Sequence, residues 1–228
     1  MDIGLRKLSK SFGKKQILKD ITLDIKNKEI VGLVGKSGCG KSTLLKILVG
    51  YYDQDKGKIL LDNKEVTSKE LKKIVGYTTQ ENSFYDKLTV EENMKYYAGL
   101  YNIKDNKKQI VHMLKLVGLS DHKKTVAENI SGGMKRRLDF AISLLHDPKV
   151  LILDEPTTGL DPFLIEQFWN IVLDVAKSED KSVIICSHIL PEVVKYCTKV
   201  AIMENGKITE ILDKDNLHKL EERFLKQK

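Results

Sequence analysis

The chain has 228 residues, of which 41% are hydrophobic, 7% aromatic and 31% charged, enough apolar side chain for one buried core and enough charge for a solvated exterior. Its longest strongly apolar runs, such as 150–153 and 183–186, fall far short of the roughly 20 residues that span a bilayer, so any membrane passage must come from another chain. The formal net charge is +7, but the basic residues are mostly lysines scattered among acids, and the arginines are only Arg6, Arg136, Arg137 and Arg223; with no arginine cluster, this reads as solvated surface and argues against a nucleic-acid partner.

The N-terminal Met1-Asp2-Ile3-Gly4 lacks the basic and apolar run of a secretory leader. Cys39, Cys186 and Cys197 show neither paired nor metal-like spacing, so a reducing cytoplasm is expected. Alternating Ile21, Leu23 and Ile25 predict a half-buried strand, and Ile59 to Leu61 predict another entering a turn at Asp62-Asn63. Three short apolar runs, Ile30 to Val34, Val150 to Leu153 and Val183 to Cys186, predict strands of a parallel sheet buried on both faces. Between about Tyr77 and Asp147 the pattern is helical: Thr89-Val90-Glu91-Glu92 fits a capping box, Gly118 fits a helix C-terminus, and Leu138, Ala141, Ile142 and Leu145 share a helix face. Asp161-Pro162 predicts the start of a helix running to about Ala176, Leu190-Pro191 starts a shorter one, and Glu204-Asn205-Gly206-Lys207 predicts a hairpin turn. The sum is an α/β fold in one domain, 1–228: a phosphate-loop NTPase core with a mixed, partly parallel sheet, an N-terminal antiparallel β subdomain and a helical subdomain inserted at about 78–147.

Gly35-Lys36-Ser37-Gly38-Cys39-Gly40-Lys41-Ser42-Thr43 matches G-x-x-x-x-G-K-[ST] in the right context, after a buried strand and running into the helical segment 43–48. Glycines let backbone N–H groups turn inward around phosphate oxygens, and the helix N-terminus adds partial positive charge. Lys41 is expected on the β- and γ-phosphates and the Ser42 hydroxyl on Mg²⁺. Strand 150–153 runs into Asp154-Glu155, a rigid mount for two carboxylates; Asp154 suits the Mg²⁺ shell and Glu155 suits a general base for the attacking water.

Ile130-Ser131-Gly132-Gly133-Met134 resembles the Leu-Ser-Gly-Gly-Gln signature that separates ABC ATPases from other phosphate-loop proteins. Phe12, in Ser11-Phe12-Gly13, resembles that family's adenine-stacking aromatic, and Gln80 resembles the glutamine linking the magnesium site to the helical subdomain. Gly159-Leu160-Asp161 looks like the D-loop, and His188 looks like the switch histidine that contacts the γ-phosphate. The resemblance covers nearly the whole chain. It implies a head-to-tail dimer, a homodimer or a heterodimer with a second ABC ATPase, in which Ser131, Gly132 and Gly133 of one subunit cover the γ-phosphate held by Lys41 of the other. Ile130 and Met134 depart from the signature, and Met134 lacks the donor and acceptor of glutamine. Lys135-Arg136-Arg137 is expected to be a solvated helix start.

The function implied is that of an ATP-hydrolysing motor working with separate transmembrane permease subunits on the cytoplasmic face of the membrane. The stretch 86–93 looks most like the ABC-2 type export group. Two alternatives stand beside it: a soluble ABC ATPase remodelling ribosomes, DNA or iron–sulphur scaffolds, and a nucleotide-regulated module without turnover. The first alternative usually carries two such domains or a long coiled-coil insertion, neither of which is present, and intact Glu155 and His188 argue against the second.

Overall fold

The computed structural model describes residues 1–178, 181–218 and 220, with nothing stated of the Ser178 side chain; the remainder of the expected 1–228 domain, including Arg223, lies outside the described residues. Strand β1 (Ile3–Phe12) pairs with β2 (Lys15–Ile25). Then follow β3 (Ile30–Val34), α1 (Lys41–Leu48), β4 (Lys56–Leu61), β5 (Lys64–Glu65), α2 (Ser68–Ile74) and β6 (Val75–Thr78). Helices α3 (Val90–Leu100), α4 (Asn106–Leu116) and α5 (Gly132–Leu144) come next, and β7 (Val150–Asp154), α6 (Pro162–Ser178), β8 (Ser182–Cys186), α7 (Leu190–Tyr196), β9 (Lys199–Glu204) and β10 (Lys207–Asp213) complete the order.

The strands form two sheets, an antiparallel one in the order β2-β1-β4-β5 and a six-stranded one in the order β10-β9-β3-β8-β7-β6. In the second sheet β6, β7, β8, β3 and β9 are parallel and β10 is an antiparallel edge. Because side chains alternate across a strand, its two faces feed two cores. Val31, Leu33, Ile152 and Ile184 point toward α1 and the antiparallel sheet, whereas Ile30, Leu151, Leu153, Val183 and Ile185 meet Phe140, Phe168, Trp169 and the other helices. Burial on both faces explains why these strands read as unbroken apolar runs.

The expected starts are held by the expected caps. Thr89 and Glu92 form a reciprocal capping box at α3, and Asp161 Oδ1 accepts the Leu164 N–H at the head of α6, 3.0 Å away. Asn205 and Gly206 take positive φ, 48° and 81°, at the β9–β10 turn, the conformation a two-residue hairpin requires. The sequence pattern did not predict β1, β5, α2 or β6. The first of the three helices, α3, begins at Val90, after strand β6 and the connecting loop.

Candidate nucleotide site

Strand β3 ends against β9 so closely that a Cβ on Gly35 would lie 2.2 Å from the Met203 carbonyl oxygen. Two further glycines then turn the chain, Gly38 at φ 77° and Gly40 at φ 112°, a left-handed conformation costly for other residues. At Gly38 a Cβ would meet nothing within 4 Å, so conformation rather than space requires glycine there. Gly40 also precedes α1, which has no capping side chain and no acid in its first turn. Its leading N–H groups and the positive end of its dipole are therefore left for an anion. Lys41 Nζ folds back over the loop, donating to the carbonyls of Gly35 at 2.7 Å and Lys36 at 3.2 Å.

The carboxylates stand on the adjacent strand ends. Asp154, last in β7, accepts from the Tyr77 hydroxyl at 3.3 Å. Burial pushes its carboxyl above the usual range, and the neighbouring Glu155 charge adds to this; hydrogen bonds from Tyr77 and Cys186 and the charge of Lys41 oppose it. Burial also pushes the Cys186 thiol up to about 12, helped by Asp154. Glu155 takes φ 51°, a strained setting for a residue with a side chain, and its N–H is fixed by the Cys186 carbonyl at 2.8 Å. Its Oε2 is 2.6 Å from His188 Nδ1 and accepts from Thr158 Oγ1 at 3.4 Å.

These groups face one cavity of about 600 Å³, lined by Gly35, Ser37, Gly38, Gly40, Lys41, Ser42 and Thr43 from the loop and by Gln80, Asp154, Glu155 and His188 around it. Ile17 and Cys186 also line it, and the sequence pattern marked neither as a site residue. Lys36 and Cys39 instead line a neighbouring cavity against Met203 and Glu204. Phe12 is not among the lining residues; it is 44% exposed at the end of β1, its ring edge-on to Tyr52 with centroids 5.1 Å apart. Ser131 caps α5, accepting the Met134 N–H at 3.3 Å. Ser131 and Gly132 are exposed, Gly133 packs tightly against Leu164, and none of the three lines the cavity. Asp161 serves as the α6 cap.

Lys135-Arg136-Arg137 is not a solvated helix start. Arg136 is 7% exposed and donates to the carbonyls of Thr79, Gln80 and Glu155, while Arg137 donates to the Val117 carbonyl at 3.1 Å. Loop carbonyls left without strand or helix partners draw both guanidinium groups inward. Glu192 of α7, also buried, likewise escaped the sequence pattern: it accepts from Thr157 Oγ1 and Trp169 Nε1, both at 2.7 Å. Its spacing four residues after His188 is a signal only once α7 is known to fold back on the segment after Glu155.

A family model described as "ABC transporter" matches residues 18–158. The chain is 37% identical over 225 residues to the lantibiotic transport ATP-binding protein SrtF of Streptococcus pyogenes, covering 99% of this chain and 96% of that protein. It is 34% identical over 223 residues to the methionine import ATP-binding protein MetN of Clostridioides difficile (strain 630), covering 94% and 70%. Its fold superposes with a TM-score of 0.88 on CbiO1 from Clostridium perfringens, part of the ABC transporter complex CbiONQ, at 28% identity over 98% of this chain and 93% of that one. The family match spans the phosphate loop, the Ser131-Gly132-Gly133 segment and the Asp154-Glu155 strand, and the chain belongs to the ABC transporter ATP-binding family.

Proposed function

We propose that this chain is the ATP-hydrolysing motor subunit of an ABC transporter, with 1–228 forming one ATPase domain. The observation that carries the reading is the convergence of Lys41, Ser42, Asp154, Glu155 and His188 on one cavity. The uncapped amides of α1 and Lys41 hold the phosphates, and Glu155 takes the proton of the attacking water while His188 orients Glu155 and reaches the γ-phosphate.

The donors around Ser42, Asp154 and Gln80 are oxygens, which fits Mg²⁺. A Mg²⁺ ion there would be held by the Asp154 carboxylate, the Ser42 hydroxyl, the Gln80 amide oxygen and the substrate phosphates rather than by an all-protein cage. Burial raises Asp154, a cost that a cation beside it would offset. When bound, the ion neutralises charge developing between the β- and γ-phosphates.

Ser131 and Gly132 lie exposed and apart from the Lys41 cavity, which supports a composite site in which a second ABC subunit brings its own Ser131 segment to the nucleotide. No helix among the described residues is long and apolar enough to cross a membrane. The likeness to transport ATP-binding proteins supports a chain that works with separate permease subunits, on their cytoplasmic face. The likeness of 86–93 to the ABC-2 type group supports export. The test is titration with a fluorescent ATP analogue alongside hydrolysis: Lys41→Ala should weaken binding and abolish turnover together. Unchanged affinity would remove Lys41 from the phosphates.

A further inference from the structure

The helix that begins at Ser131 also grips the loop that carries Gln80. Arg136 and Asp139 are one turn apart on α5, on the same face, and are only 7% and 2% exposed. Arg136 spans three carbonyls with its fork, Thr79 and Gln80 at 3.0 Å each and Glu155 at 3.4 Å. Asp139 Oδ1 accepts from Ser83 N at 2.9 Å and Ser83 Oγ at 2.6 Å, and the Tyr97 hydroxyl of α3 donates to the Ser83 carbonyl. Loop 79–83 is therefore held at both ends.

This arrangement costs stability. Burial lowers the Arg136 pKa and raises that of Asp139, and Asp139 Oδ2 is buried without a hydrogen-bond partner. Neutral donors could meet the same carbonyls without burying a charge. Two ionisable groups directed at backbone atoms instead make the loop follow the helix, because a carbonyl that lost the guanidinium would be left desolvated.

We propose that Arg136 and Asp139 are positioning residues that strap loop 79–83 to α5, so that seating the Ser131 end of the helix sets Gln80, and through Arg136 the Glu155 backbone, in the cavity. This rests on the roles proposed above for Gln80, Glu155 and Ser131. Arg136→Met and Asp139→Ala should each lower single-turnover hydrolysis roughly 10- to 100-fold while fluorescent-nucleotide affinity without Mg²⁺ stays within about twofold, the signature of lost positioning rather than lost binding. In a Gln80→Ala background Asp139→Ala should reduce the rate no further, because both changes act through one loop. Arg136→Lys, with one ammonium in place of the fork, should retain part of the rate. If Arg136→Met or Asp139→Ala does not fold, Arg136→Lys and Asp139→Asn carry the same test, with a smaller rate loss at preserved affinity. A loss of affinity matching the loss of rate, full additivity with Gln80→Ala, or wild-type turnover would overturn the strap. If Glu155→Gln hydrolyses ATP as fast as the wild type, the motor reading has failed instead.

Discussion

His188 Nδ1 and Glu155 Oε2 are 2.6 Å apart, joined across the ends of neighbouring parallel strands β8 and β7. A general base needs a fixed direction as well as basicity, and this bond supplies one. Glu155→Gln keeps the shape and a hydrogen-bonding oxygen but loses the proton acceptor. Nucleotide affinity should be retained while turnover falls about 10²- to 10⁴-fold, the usual scale of general-base catalysis. Hydrolysis near the wild-type rate would sink the assignment.

The loop, the strand end and the signature were legible because each is a short local pattern whose chemistry demands its spacing. What the sequence hid depends on departures from period or on distant packing. Strand β1 carries register shifts between Leu5, Leu8, Lys10 and Ser11, with Lys7 at φ 50°, so the alternation that marks a strand is broken. Helix α2 has a full capping box at Thr67 and Glu70 but buries only Leu71, which leaves no apolar stripe to read. Arg136 looks like surface until the fold brings the Thr79 and Gln80 carbonyls against it.

Phe12 stands at the end of β1, 44% exposed, with Lys10 Nζ 5.6 Å from its ring centroid. A ring this exposed, edge-on to Tyr52, suits stacking better than core packing. Phe12→Ala should weaken ATP binding by about 1–3 kcal/mol, on the scale of base–aromatic stacking, and Phe12→Tyr should be nearly neutral. Equal affinity in the alanine variant would return Phe12 to a structural role.

Glu192 joins α7, which follows His188, to the segment after Glu155 through Thr157 and to α6 through Trp169. Its other oxygen is buried without a hydrogen-bond partner. Glu192→Ala leaves the Trp169 indole N–H and the Thr157 hydroxyl stranded, at a cost of about 1–3 kcal/mol for each unsatisfied group, whereas Glu192→Gln keeps an acceptor and should cost less. Urea unfolding of the two variants would measure the difference. An alanine variant as stable as the wild type would show that the segment relaxes to satisfy both donors.

The shared site gives the sharpest separation of outcomes, because Ser131 and Gly132 are exposed and lie outside the cavity that holds Lys41. If two chains meet head to tail, each nucleotide lies between the Lys41 loop of one and the Ser131 segment of the other. Homodimers of Lys41→Ala and of Ser131→Arg then each contain two damaged sites. In a mixed dimer one site collects both lesions, and the other pairs an unaltered Lys41 loop with an unaltered Ser131 segment. Mixing the two inactive proteins should therefore restore ATP-dependent dimerisation, measured by light scattering, together with single-turnover hydrolysis at the rebuilt site. A site complete within one chain allows no recovery at any mixing ratio. Absence of both signals, once subunit exchange is verified with labelled chains, would exclude the composite mechanism for this protein.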